Sequence, residues 1–235
     1  MSVAILMPAY NEPGRLADTL AGIRAWAEEL GGVSVFLVDD GSEPPIPPES
    51  LPSPTPSFRL VLARHPLNLG QGAALETARL LALREPPFAT YVTMDSDGQH
   101  RIEDLAALVA AVASGADVAL GDRFRGDSNV PAARRVLIHA ARLFERALTG
   151  LRLSDAHNGY RAFSRRALEQ VQIRENRMAH ATEITRQISR GRLEIVEVPV
   201  SVRYTTETLA KGQRSLGAFA ILRDLLYRYL FEETR

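Results

Sequence analysis

The sequence predicts an α/β fold in which a mostly parallel central sheet is flanked by helices. Two observations carry that prediction: short runs rich in Val, Ile and Leu recur along the chain, and longer segments with apolar residues at helical spacing separate them. The first run spans residues 3–7. Leu16, Leu20, Ile23 and Ala27 then recur at the spacing of one helix face, and the second run covers 33–38. Residues 43–57 hold seven prolines in fifteen positions, too many for a helix or central strand, and are expected as an extended surface loop. The alternation resumes at once with a run over 59–63, a helix carrying Ala74, Ala78 and Leu81, a run over 91–94, a helix carrying Leu105, Leu108 and Val112, and a run over 118–120. The second half has a different texture. A long Arg-rich helix is expected over 132–148, a short strand or turn over 158–164, a helix over 179–190, and a strand over 193–202 broken by Pro199. The tail 216–231 is amphipathic, with Leu216, Phe219, Leu222, Leu226, Tyr229 and Leu230 against Arg223, Asp224 and Arg228.

The bulk composition fits an ordinary globular chain. With 235 residues, 46% of them hydrophobic and 24% charged, it can bury a sizeable core, which excludes wholesale disorder and fibrous repeats. Lys plus Arg and Asp plus Glu both total 28, so no net field draws the chain to nucleic acid, and no nucleic-acid partner is expected. A polyanion must be met locally. Cysteine is absent, which removes disulfides and thiolate chemistry and suits a reducing compartment. No basic n-region precedes the opening apolar run and no stretch of about 18 uncharged apolar residues occurs, so neither a signal peptide nor a spanning helix is expected. The expected location is the cytoplasm. His65, His100, His139, His157 and His180 are scattered without metal-ligand spacing, and no zinc site is expected.

Chemistry gathers where the runs end. Asp95-Ser96-Asp97-Gly98-Gln99 follows the fourth run, so two carboxylates emerge at the carboxyl end of a strand, where open α/β sheets place their ligands. Two residues apart on an extended turn, both can face one hard cation, Mg²⁺ or Mn²⁺, with Gln99 as a neutral third oxygen. Asp39-Asp40-Gly41-Ser42 follows the second run and Pro8-Ala9-Tyr10-Asn11-Glu12 the first. A single such end is turn chemistry. Three on one rim of a parallel sheet describe a pocket for a nucleotide whose hydroxyls and base meet acids and whose phosphates meet a metal.

Taken in order, PAYNE, DDGS, NLGQGAAL, DSDGQH, GDRF and NGYRAFSRRAL resemble the family 2 inverting glycosyltransferases with the GT-A fold, and within them the polyprenyl-phosphate branch typified by dolichyl-phosphate mannose synthase. The resemblance spans about residues 2–205. It implies one domain over 1–205, with a nucleotide-binding half of about 1–121 and an acceptor half of about 122–205, followed by a basic loop and C-terminal amphipathic helix over 206–235. It further implies that Pro8, Tyr10 and Glu12 line the nucleoside pocket with Tyr10 against the base, that Asp40 accepts from the base edge, and that Asp39 orients the loop. Asn68 and Gly70 would stand before a helix N-terminus beside the nucleotide. Asp95 would lie near ribose and metal, Asp97 would be the direct metal ligand, and Gln99 would assist.

Arg123, in Gly121-Asp122-Arg123-Phe124, would reach the donor diphosphate or an acceptor phosphate with its fork. Asp155 and Glu183 resemble acids on the acceptor side. Lys211 and Arg214, in the basic loop, would close over the phosphates.

The implied reaction moves a hexose from a nucleoside-diphosphate sugar, with inversion, to a polyprenyl or dolichyl phosphate, assisted by Mg²⁺ or Mn²⁺. A lipid phosphate needs no base. A hydroxyl acceptor, as in cell-envelope glycan synthesis, needs one, and Asp155 or Glu183 is the candidate. A nucleotide-sugar-binding protein without turnover is the reading from another class. The tail can dock on its own domain, lie peripherally on the cytoplasmic membrane face or pack in a homodimer.

Overall fold

The structure, a computed structural model, describes residues 2–130, 132–155, 158–176 and 179–204. The chain divides into two compact units, residues 1–203 and residues 204–235. The expected basic loop and tail helix, with Lys211 and Arg214, lie outside the described residues. Among the described residues no helix is long and apolar enough to cross a membrane.

Seven strands form one sheet: β1 (Val3–Ala9), β2 (Val33–Asp39), β3 (Phe58–Arg64), β4 (Thr90–Thr93), β5 (Val118–Asp122), β6 (Arg161–Phe163) and β7 (Ile195–Pro199). Their order is β3-β2-β1-β4-β6-β5-β7, parallel except for β6, which runs against both neighbours. The expected mostly parallel sheet is therefore present, and the element left open as strand or turn is its antiparallel member. All seven residues of β1 are buried. That is why it reads as a continuous apolar run rather than an alternating one.

Alternate side chains of β1 feed separate cores. Val3, Ile5 and Met7 pack with Leu16, Leu20 and Ile23 of α1 (Pro13–Trp26) and Leu105 and Leu108 of α3 (Asp104–Ala113). Ala4 and Leu6 pack with Ala74 and Ala78 of α2 (Gln71–Arg84), Leu168 of α5 (Arg165–Gln170) and Ile184 and Ile188 of α6 (Ala179–Arg190). Burying a side chain such as Leu20 or Ile23 contributes on the order of 1.5–3 kcal/mol. The Arg-rich helix is α4 (Ala132–Thr149), which lies against α6. The helix α5 was not anticipated from the sequence; Ser164 caps it by accepting from the Ala167 amide at 3.2 Å.

The Pro-rich loop between β2 and β3 contains a short 3₁₀ turn, Pro48–Ser50, and lays Ile46 and Leu51 against the core. What positions the site is the strand order. β1 lies between β2 and β4, so the connections on its two sides depart over opposite faces and leave a crevice at the strand carboxyl ends.

Candidate active site

The three predicted rim segments meet at that crevice. Asn11 stands just beyond β1 with a left-handed backbone (φ 52°), a conformation asparagine tolerates. Its amide donates to Ser42 Oγ at 3.0 Å and its Oδ1 accepts from the Glu43 amide at 2.9 Å, tying the first strand end to the second. Pro8 is buried in β1, whereas Tyr10 is 47% exposed over the rim, a surface open to a flat ring. Asp39 accepts from the amides of Ser42 at 2.8 Å and Ile46 at 3.3 Å and pairs with Arg64.

Asp40 is turned inward and buried. Its Oδ1 meets His65 Nδ1 at 2.7 Å and accepts from the Leu69 amide at 3.0 Å, while Oδ2 accepts from the Gly70 amide at 2.8 Å. Asn68 donates to the Asp40 carbonyl at 3.2 Å. Asp40, Asn68 and Gly70 are thus brought together, with the carboxylate clamping the loop that precedes α2. His65, whose Nε2 lies 2.9 Å from Thr77 Oγ1, completes this clamp.

The acidic turn after β4 carries an imbalance of charge. Asp95 Oδ1 accepts from Gln71 Nε2 at 2.8 Å, and its Oδ2 lies 3.4 Å from His100 Nε2. Burial by itself would push Asp95 up; the His100 hydrogen bond and the nearby charges of His100, His180 and Arg161 outweigh it and hold the carboxyl below its ordinary range. Asp97 moves the other way. Burial raises it, the Asp95 charge raises it further and Glu12 adds to this, against the lowering effects of the Gln99 amide and His100. Gln99 donates its backbone N–H and its Nε2 to Asp97 at 3.1 and 2.6 Å.

Two close carboxylates that resist being ionised together, both acceptor-only, are a donor set suited to a hard divalent cation that takes its remaining ligands from a diphosphate. The residues fit such an ion. Among the described residues no group of three or more His, Asp or Glu side chains converges as an all-protein metal cage.

β6 supplies the other wall. Because it is antiparallel, its amino end reaches the same rim and delivers Asn158, Gly159 and Tyr160. A side chain at Gly159 would place its Cβ 2.8 Å from Asp95 Oδ2, so the glycine lets the backbone approach the acid without displacing the carboxylate. Arg161 is buried behind it. Burial lowers its guanidinium to about 10, while Glu145, Asp155 and Asp95 oppose the loss of charge.

Arg123 and Asp155, assigned separate tasks from the sequence, form one buried ion pair through Arg123 Nε and Asp155 Oδ2. The Arg123 amide and Asn158 Nδ2 also donate to that oxygen, at 3.2 and 3.4 Å. Beside the pair opens a pocket of about 470 Å³ whose lining includes Arg123, Arg125, Arg135, His139 and Arg142. His139 stacks on Phe124, with centroids 5.1 Å apart.

Glu183 is placed elsewhere. Its Oε2 accepts the amides of Arg174 and Glu175, both at 2.9 Å, fixing a loop whose Asn176 Oδ1 accepts the Ala73 amide at the start of α2. A Cβ at Gly72 would stand 2.0 Å from the Glu175 carbonyl, so α2 begins in direct contact with this loop. Sequence reasoning missed His65, His100, Gln71 and Arg161. For His100, Gln71 and Arg161 a signal existed, since each lies inside a motif singled out above; for His65 none did.

Residues 4–172 match the family described as Glycosyl transferase family 2. The chain is 30% identical over 231 residues to the undecaprenyl-phosphate mannosyltransferase of Micrococcus luteus, covering 92% of this chain and 89% of that one. It is 29% identical over 205 residues to the polyprenol monophosphomannose synthase of Mycolicibacterium smegmatis, with 84% and 76% covered. The fold is shared with glucosyl-3-phosphoglycerate synthase from Mycobacterium tuberculosis, solved with Mn²⁺, UDP-glucose and glycerol 3-phosphate, at a TM-score of 0.65, 19% identity and 97% and 79% coverage. A family match over most of the chain, on a sheet whose strand ends gather these acids and arginines, makes this protein a member of glycosyltransferase family 2, with the GT-A fold.

Proposed function

We propose that this glycosyltransferase moves a hexose from a nucleoside-diphosphate sugar to the phosphate of a polyprenyl or dolichyl lipid, with inversion. The observation that carries the reading is the pairing of Asp155 with Arg123 beside an arginine-lined pocket. A hydroxyl acceptor needs a base to take its proton, yet Asp155 is fully buried and ion-paired with Arg123, and Glu183 Oε2 is held by two loop amides. A phosphate oxygen is already anionic and needs only to be held. Arg123, Arg125, Arg135 and Arg142 supply that charge in a form suited to bidentate contact. The relatives from Micrococcus and Mycolicibacterium carry names that place their sugars on polyprenyl phosphates, which supports the same reading.

Tyr10 would cover the nucleoside base, and Asp40 would keep the residue 68–70 loop against the nucleotide. Asp95 and Asp97 would hold Mg²⁺ or Mn²⁺, with Gln99 orienting Asp97. When bound, that cation supplies positive charge where the departing diphosphate gathers negative charge. The chain's own part is positioning: the acid rim fixes the donor, the arginine pocket aims the acceptor oxygen at the anomeric carbon from the opposite side, and in-line attack inverts that centre. Lys211 and Arg214 are assigned to closure over the phosphates.

The test is a panel of radiolabelled UDP- and GDP-sugars incubated with membranes and Mg²⁺ or Mn²⁺, followed by organic extraction. Label entering the organic phase in a chelator-sensitive way is expected. Label that stays aqueous with every donor, while free nucleoside diphosphate accumulates with a soluble hydroxyl acceptor, would overturn the lipid-phosphate assignment.

A further inference from the structure

Residues 150–160 join α4 to β6 and bring Ser154 to the lining of the arginine pocket, with Asp155 buried next to it in the chain. Neither residue belongs to a helix or strand. Backbone of this kind moves unless something outside the loop holds it, whereas an arginine that must meet a substrate has to be held to within about 0.5 Å. The holder is Glu197. It is the one acid of β7, the strand at the sheet edge, where it stands opposite Leu120 of β5 and between Val196 and Val198. Its Oε1 accepts the Ser154 amide at 2.6 Å and the Asp155 amide at 3.4 Å, and its Oε2 accepts the Ser154 hydroxyl at 3.2 Å. A half-buried acid in an apolar strand is costly to keep, and these three donors from two consecutive residues compensate it.

We propose that Glu197 is a positioning residue for sugar transfer. By holding the backbone of residues 154 and 155 it fixes Asp155, and Asp155 sets the angle at which Arg123 enters the acceptor pocket. The links are contiguous. Asp155 Oδ2 takes both the Nε and the backbone amide of Arg123, so any shift of the residue 155 backbone is passed to the guanidinium. Glu197 itself is not among the residues that line the pocket, so its effect travels through the pair rather than through contact with a reacting group. A carboxylate suits this task because it offers two acceptor oxygens and no donor, and it faces three donors here. The inference rests on the lipid-phosphate acceptor proposed above and deepens it by naming what aims the arginine.

The test compares the full chain with Glu197→Ala, Glu197→Gln and, as a stability control, Ser164→Ala, which removes the cap of α5. Two quantities are read. One is steady-state transfer to a short, water-soluble polyprenyl phosphate, with donor and acceptor varied separately. The other is water exchange of the Arg123 Nε–H, followed by ¹⁵N spectroscopy without any acceptor and assigned by its loss in Arg123→Lys. In Glu197→Ala, kcat/KM for the acceptor should fall about tenfold or more and the Nε–H should exchange about tenfold faster, while the donor KM stays within about twofold. Glu197→Gln keeps an oxygen for the Ser154 amide and should bring both readouts back to within about threefold of wild type. Ser164→Ala should melt lower and move neither. A Glu197→Ala protein that melts lower with the acceptor kcat/KM and the Arg123 resonance unchanged, or whose donor KM rises in step with the acceptor loss, overturns the proposal. So does a Glu197→Gln protein no better than Glu197→Ala. A wild type that transfers to no polyprenyl phosphate overturns the acceptor reading instead. Arg123 exchange then still decides for Glu197: faster exchange in Glu197→Ala with recovery in Glu197→Gln supports the positioning role, and unchanged exchange overturns it.

Discussion

The ion pair of Arg123 with Asp155 offers the sharpest energetic test of the site. Its side chains are 8% and 0% exposed, so solvent screens the pair little. Replacing Arg123 by Ala leaves Asp155 ionised and buried, with Oδ1 without a partner among the described residues and Oδ2 left with the residue 123 amide and Asn158. Breaking a buried pair from one side costs about 3–5 kcal/mol, because the surviving charge has lost its compensation. For a chain of this size each kcal/mol shifts the melting temperature by about 2–4 °C, so Arg123→Ala should melt roughly 6–20 °C lower. Replacing both, as Arg123→Met with Asp155→Leu, removes the orphaned charge and should recover much of that loss, giving a coupling energy of about 1–3 kcal/mol in a double-mutant cycle. Circular-dichroism melts of the wild type, Arg123→Met, Asp155→Leu and the double variant measure this directly. Single variants within about 1 kcal/mol of wild type, with additive effects, would refute the buried pair as drawn. All three variants should lose transfer, since the pocket has lost an arginine or the group that aims it.

Other perturbations probe the neighbouring elements. Because burial and Asp95 raise Asp97, its ionised form destabilises the metal-free fold above the raised value, and the penalty disappears as pH falls below the ordinary 3.8. Asp97→Asn should therefore melt higher than wild type at neutral pH without metal, lose that advantage on acidification, and show no metal-dependent turnover; equal melting at neutral pH would contradict the charge balance. Gly72→Ala drives a Cβ to 2.0 Å from the Glu175 carbonyl and should cost about 1–3 kcal/mol while raising the donor KM, as melts and donor titration can show. Glu183→Ala should cost about 1–2 kcal/mol and speed hydrogen exchange at the amides of Arg174 and Glu175, with Glu183→Gln largely restoring both. A hundredfold loss of kcat in Glu183→Gln with unchanged exchange would instead identify Glu183 as a base.

The sequence alone carried the sheet because the strands of a two-sided core are continuous apolar runs. Residues 3–7 and 33–38 are legible without knowing their partners, and the observed β1 and β2 differ from them by one or two residues at an end. The acid turns were legible for a related reason: Asp95, Asp97 and Gln99 are neighbours in the chain, so their chemistry travels with their spacing. Only tertiary structure decided what lies across long sequence separations. His65 reaches Asp40 over 25 residues, Asp155 reaches Arg123 over 32, and Asn176 reaches Ala73 over 103. No local period encodes such meetings; the first follows from the parallel pairing of β2 with β3, which sets Asp39 opposite Arg64, and the other two exist because the segment before antiparallel β6 and the loop after α5 are folded back onto the crevice. That is also why Arg123 and Asp155, each credible alone as a catalytic group, proved to be each other's partner. Their proximity follows from how the strands are ordered, and strand order is set by packing over the whole core.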